Sequence, residues 1–131
     1  MTRRILILAV LAVIALAAAL TSSASARTFA QAQKMCKNGS VCLFEHRNFN
    51  GKMITLVNDA PYLDQLRFED RASSYINDSD TARCMYETGN YDGERFYVPS
   101  KGHGAWYDTS LGYWTDRISA VSYMRWGQRC T

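Results

Sequence analysis

The hydrophobic positions along this chain fall into two regimes. Residues Ile5 to Leu20 form one unbroken apolar run behind Arg3 and Arg4. Beyond it the apolar residues come in short bursts separated by Asn, Asp, Gly and Ser. Arg27 to Met35 is polar, lacks strand patterning and reads as a loose N-terminal segment. Lys37-Asn38-Gly39-Ser40 is a turn signal. Val41-Cys42-Leu43-Phe44-Glu45 then reads as a strand, as does Lys52 to Val57 after Asn50-Gly51. Glu94 to Val98, after Asp92-Gly93, mixes charged and aromatic residues as a strand with one wet and one buried face does. Asn-Gly and Asp-Gly pairs favour positive φ and predict tight hairpins. Ala72 to Ile76 and Ile118 to Tyr123 read as closing strands, and Tyr62 to Gln65 as a helical turn.

These bursts are a repeat. Cys42-Leu43-Phe44-Glu45-His46-Arg47-Asn48-Phe49-Asn50-Gly51 returns as Cys84-Met85-Tyr86-Glu87-Thr88-Gly89-Asn90-Tyr91-Asp92-Gly93. Phe68-Glu69-Asp70-Arg71-Ala72-Ser73 returns as Trp114-Thr115-Asp116-Arg117-Ile118-Ser119. The second half is four residues longer between its two elements, and Lys101-Gly102-His103-Gly104 is the expected excess. Each half is strand, hairpin, strand, irregular link, strand. Short strands at regular spacing predict an all-β sandwich or barrel, and the halves are expected to pack face to face, because neither buries its apolar face alone.

The apolar run is followed by Ala24-Ser25-Ala26, a cleavage site of the secretory type. The run is shorter than the roughly 20 residues a spanning helix needs, so residues 1–26 are expected to be a signal peptide and the protein to be secreted. That leaves 27–131 as one domain, with its first half over about 36–77 and its second over about 82–130. Two of the 15 basic residues lie in the leader, leaving thirteen against 12 acidic ones, a net charge of +1. This balance carries no footprint for nucleic acid and none for an anionic membrane, and a monomer is expected.

All four cysteines, Cys36, Cys42, Cys84 and Cys130, follow the leader. An even count in a small exported domain reads as two disulfides. Three connectivities are possible. Six residues suffice for Cys36 and Cys42 to close a loop, after which Cys84 and Cys130 tie the second repeat to the C-terminus. No CxxC or HxxxH spacing supports a metal site at these cysteines.

An aromatic–Glu–x–x–x–aromatic–x–Gly hairpin followed by Asp–x–x–Ser, present twice and in order, resembles the Greek-key motif of βγ-crystallins. Within that fold the opening Cys36-Lys37-Asn38-Gly39-Ser40-Val41-Cys42-Leu43-Phe44-Glu45 is similar to the secreted bacterial crystallin-like peptidase inhibitors, typified by inhibitors of metalloproteinases. The resemblance implies a βγ-crystallin-like sandwich of two Greek keys, stapled by disulfides, that blocks an extracellular peptidase through a surface loop.

An inhibitor presents a rigid protruding segment, since rigidity reduces the ordering cost of binding. The linker Asn77 to Arg83 is expected to be exposed by its polarity, with Asp78, Ser79, Asp80 and Thr81 at its centre and no second nearby cysteine to brace it. It offers no bulky apolar residue, which a thermolysin-like enzyme prefers after the scissile bond. The loop Ser100 to Tyr113, with Trp106 and Leu111, does. Calcium is a second possibility. Crystallin-type sites follow Asn/Asp–Asn/Asp–x–x–Ser/Thr–Ser, whose oxygens suit a hard cation. Here Asp70 and Ser73 in one copy, and Asp116 and Ser119 in the other, keep part of that pattern, with Glu45 as a further carboxylate. Arg71 and Arg117 follow the two aspartates and are placed to pair with them instead. A stacking platform for glycans from Trp106, Tyr107, Tyr113, Trp114 and Trp126 is the third reading. Catalysis has little to stand on: His46 and His103 have no repeat partner, and Glu45 and Glu87 are repeat equivalents with a shared structural role.

Overall fold

Residues 25–124 and 129–130 are described by the computed structural model. The leader predicted over 1–26 lies outside them but for its last two residues, and so does Trp126. The first half forms strands β1 (Val41–His46), β2 (Asn50–Leu56) and β3 (Ser74–Asn77), and the second forms β4 (Arg83–Thr88), β5 (Asp92–Val98), β6 (Tyr107–Asp108) and β7 (Ala120–Tyr123). The repeat is kept residue by residue in the pairing. Val41 sits opposite Leu56 in β1–β2, and Arg83 opposite Val98 in β4–β5. Phe44 faces Ser74 in β1–β3, and Tyr86 faces Ala120 in β4–β7.

The halves do not stay apart. One sheet has the order β2-β1-β3-β6 and the other β5-β4-β7, so β6 of the second half completes the first sheet. In exchange, Ala60 of the first half bridges Val121 of the second, with backbone bonds of 2.8 and 2.9 Å. These exchanged pieces lie in the stretches read as irregular links. One or two paired residues are too short to show strand alternation.

Alternate residues of a strand point to opposite faces. Val41, Leu43 and Leu56 therefore meet Met85, Val98 and Val121 between the sheets, joined by Leu63, Phe68, Tyr75, Leu111 and Ile118. Cys42 and Cys84, one position out of step, face outward from their sheets. Each is bonded to a terminal segment lying over that face: Cys42 to Cys36, and Cys84 to Cys130. The two disulfides thus hang from equivalent places in the repeat.

Two local expectations are corrected. The segment before Cys36 is not loose, since Phe29–Met35 forms a helix, α1, that covers the first sheet. Thr28 and Gln31 form a capping box at its start, with Gln31 N donating to Thr28 Oγ1 at 3.3 Å and Thr28 N to Gln31 Oε1 at 2.9 Å. The pattern Thr-x-x-Gln is a start signal, hidden here in a helix of two turns. Its anchor is Phe29, edge-on to Trp106 at 5.3 Å and packed beside Phe49. The hairpins also turn earlier than Asn50-Gly51 and Asp92-Gly93. The reversal lies at 47–49 and 89–91, where Asn48, Phe49, Asn90 and Tyr91 all take positive φ. Gly51 is needed for a different reason. At φ 75° a Cβ there would stand 2.7 Å from the His46 ring. The helical turn expected over Tyr62 to Gln65 is present as a 3-10 turn at Leu63–Leu66.

Candidate functional site

β3 runs out into Asn-Asp-Ser-Asp, residues that satisfy backbone groups through their side chains and so favour turns. Asn77 is fully buried. Its Nδ2 donates to Thr81 O at 3.0 Å and to Pro99 O at 2.8 Å. Its Oδ1 accepts from Ser79 N at 3.3 Å and from Ser79 Oγ at 2.6 Å. One side chain therefore fastens the linker to the start of the longer loop.

The linker is braced from two further sides. Gly39 N donates to Asp78 O, and Asp78 N to Ser40 O, both at 2.8 Å, which fixes the linker to the turn inside the Cys36–Cys42 loop. Asp78 Oδ1 holds Lys101 Nζ at 2.8 Å and accepts from Gln33 Nε2 of α1 at 3.2 Å. Lys101 N donates to Ser79 O at 2.8 Å. The expectation of an exposed, unbraced linker is corrected accordingly. Asp78 and Ser79 are buried, at 4% exposure each, because their polar groups meet one another rather than water. Thr81 is half-buried and only Asp80 projects fully.

The longer loop is corrected as well. Leu111 is not displayed, being 7% exposed within the core, with its N–H on Ser73 O at 2.9 Å. Trp106 is half-buried against α1, and its carbonyl accepts from Asn77 N at 2.7 Å. The loop displays Gly102 to Ala105, all exposed, and further along it Tyr107 and Tyr113. Asp80 and Gly102–Ala105 therefore project from one cross-bonded corner.

The aspartate turns form a second polar cluster, and it is reciprocal. Ser119 Oγ donates to Asp70 Oδ1 at 3.0 Å, and Ser73 Oγ to Asp116 Oδ1 at 3.4 Å. Each half thus supplies the serine for the other half's aspartate. The arginines do not pair with the neighbouring aspartates as expected. Arg71 binds Glu45, and Arg117 binds Glu87 while lying 4.0 Å over the Tyr113 ring. The guanidinium hydrogen bond holds each glutamate carboxyl below its usual range, helped at Glu45 by the backbone N–H of Lys52. A hard cation takes six to eight oxygens, carboxylates foremost. Each turn brings one carboxylate and one hydroxyl, and Glu45 is already neutralised by Arg71. Among the described residues no group of three His, Cys, Asp or Glu side chains gathers to hold a metal. Glu45, Asp70, Ser73 and Asp116 line one open pocket together with Arg71, which pairs with Glu45, and the serine hydroxyls engage both aspartates, so the turns act as cross-ties between the halves. Millimolar calcium should leave the melting temperature unchanged in differential scanning calorimetry. A rise of several degrees would restore the cation reading.

The aromatic side chains divide into two groups rather than one platform. Tyr107 stacks on Phe29 at 4.1 Å beside Trp106, while Tyr113 and Trp114 pack around Arg117, Trp114 also meeting Phe96 at 4.8 Å. Phe68, the repeat partner of Trp114, is fully buried.

Two sheets joined by exchanged strands, with paired Asp–Ser turns, define a βγ-crystallin fold, and solved structures agree. The chain is similar to a βγ-crystallin from Ciona intestinalis (22% identity, TM-score 0.58, covering 66% of this chain and 100% of that one). It is also similar to an archaeal βγ-crystallin (22%, 0.55, 67% and 100%). A third is a double mutant of a βγ-crystallin domain from Clostridium beijerinckii (24%, 0.53, 64% and 94%). No curated protein sequence matches it. Within the fold, residues 30–98, more than half of the chain, match peptidase inhibitor family I36, and the chain belongs to that family. It is a family of inhibitors, not of enzymes, and membership implies a peptidase as partner.

Proposed function

We propose that this chain is exported and inhibits an extracellular metallopeptidase through the corner that carries Asp80 and Gly102–Ala105. The observation that supports this reading is Asn77, whose four hydrogen bonds order the linker and the base of the longer loop before any partner arrives. A segment ordered in advance loses little conformational freedom on docking. A segment braced in this way also resists hydrolysis, since a cleaved linker stays tied by its remaining bonds. The leader ending in Ala24-Ser25-Ala26 supports export, and the metallopeptidase target rests on the likeness of the Cys36–Glu45 opening to metalloproteinase inhibitors. The test is a panel of metallo- and serine peptidases assayed with excess mature protein. Inhibition of a metallopeptidase at near-stoichiometric concentration is expected. Full activity across the panel would remove the reading.

A further inference from the structure

We propose that His103 is the group this chain presents to the catalytic metal ion of the peptidase it inhibits, with Nε2 taking the metal's open position. The proposal rests on the inhibitor reading above and adds a chemical mode to it.

His103 has no counterpart in the first half. It belongs to the excess that lengthens the second, and it lies beyond residues 30–98 that carry the family likeness. The flanking Gly102 and Gly104 take φ of 78° and 46°, so the turn that carries His103 uses the left-handed conformation on both sides of it. His103 is exposed, and the turn beneath it is closed by its own N–H on Ser100 O at 3.1 Å. The base of the loop is held by Lys101, through Ser79 O and the Asp78 carboxylate.

The ring itself is oriented. Nδ1 lies 3.1 Å from Lys101 O and 3.2 Å from Ser100 Oγ. In the neutral tautomer that donates from Nδ1 to Lys101 O, with Ser100 Oγ as a second neighbour, the lone pair lies on Nε2, which has no hydrogen-bond partner among the described residues. This is the arrangement of a metal-binding histidine, in which one nitrogen donates to a carbonyl or carboxylate and thereby fixes tautomer and ring direction for the other. In this protein the arrangement stands without a metal of its own, since no other ligands gather near it among the described residues.

A partner that supplies the metal completes it. A catalytic zinc site keeps three protein ligands and one position filled by water. The exchange is simple: the Nε2 lone pair binds, water leaves, and no bond in either protein is cleaved. Asp80 is the competing ligand at the same corner, but among the described residues its carboxylate has no hydrogen bond or ion pair that orients it, whereas the imidazole has two neighbours at Nδ1.

The experiment uses the full mature chain, a thermolysin-type zinc peptidase and its cobalt-substituted form. The wild-type chain is expected to inhibit the zinc enzyme and to shift the visible absorption of the cobalt enzyme. His103→Gln is expected to weaken inhibition by about 100-fold, the loss of one central contact, and to abolish the spectral shift at unchanged melting temperature. Asp80→Asn is expected to keep the shift. Undiminished inhibition by His103→Gln, or wild-type binding without a cobalt shift, would overturn the role of His103 and leave the inhibitor reading standing. So would inhibition confined to serine peptidases. Failure of the wild-type chain against every peptidase would remove both.

Discussion

Replacing Cys84 and Cys130 by alanine should lower the stability of the domain by about 4 kcal/mol, against about 2.2 kcal/mol for the Cys36–Cys42 pair. The two bonds have near-identical settings. Each joins the second position of a first strand to a terminal segment on the outer face of a sheet, with Cα separations of 5.8 and 5.6 Å. All four sulfurs belong to buried apolar clusters, so the packing lost on removing them is similar. What differs is the loop each bond closes, 46 residues of sequence separation against 6. On the chain-entropy model the longer loop restrains the unfolded chain more, which is the origin of the difference. A loss of about 4 kcal/mol in a domain of this size should lower the melting temperature by roughly 20 °C. Urea unfolding of the two double variants measures the difference directly. Equal losses would mean that the docking of α1, not the unfolded state, governs the contribution of the short bond.

The repeat was the most legible property of the chain because it specifies pairing. Two copies of the same strand and hairpin take the same register, so Val41 opposite Leu56 dictates Arg83 opposite Val98. The Glu–Arg clamps were legible in the same way and were missed. Glu45 pairs with Arg71 and Glu87 with Arg117, so both members of each pair recur in order. Adjacency in sequence drew attention to Asp70 and Asp116 instead. Polarity misled in the linker, where Asn77, Asp78 and Ser79 are buried because they satisfy one another. It misled again at Arg83, which occupies the place of Val41 and is fully buried, its guanidinium 3.4 Å from the Tyr123 ring centroid. No pattern of single residues discloses such a substitution, since the cost of burying a charge depends on what the fold places over it. β6 and the Ala60 bridge escaped because their pairing is set by the other half and leaves no local period.

Asn77→Ala should cost about 2–3 kcal/mol of stability and weaken peptidase inhibition by roughly tenfold or more. The stability term follows from what is left behind. Pro99 O and Ser79 N lose their side-chain partner, Thr81 O keeps only Ser79 Oγ, and at a site this enclosed water makes up the loss only in part. The inhibition term follows from order. Without the Asn77 side chain the linker is no longer joined to Pro99, and the freedom regained by both segments must be given up again on binding. Asn77→Asp separates hydrogen bonding from shape. It has the same size and keeps an acceptor for Ser79, yet it aims a carboxylate at two carbonyl oxygens that need a donor. At neutral pH it should therefore destabilise at least as much as alanine, through repulsion in a site without solvent. Urea unfolding and inhibition constants on the same three proteins check both terms. If Asn77→Ala unfolds earlier but inhibits as well as the parent, the corner is structural and the inhibitory surface lies elsewhere. If Asn77→Asp matches the parent in stability, the two carbonyls are not held by the amide and the cross-tie itself is wrong.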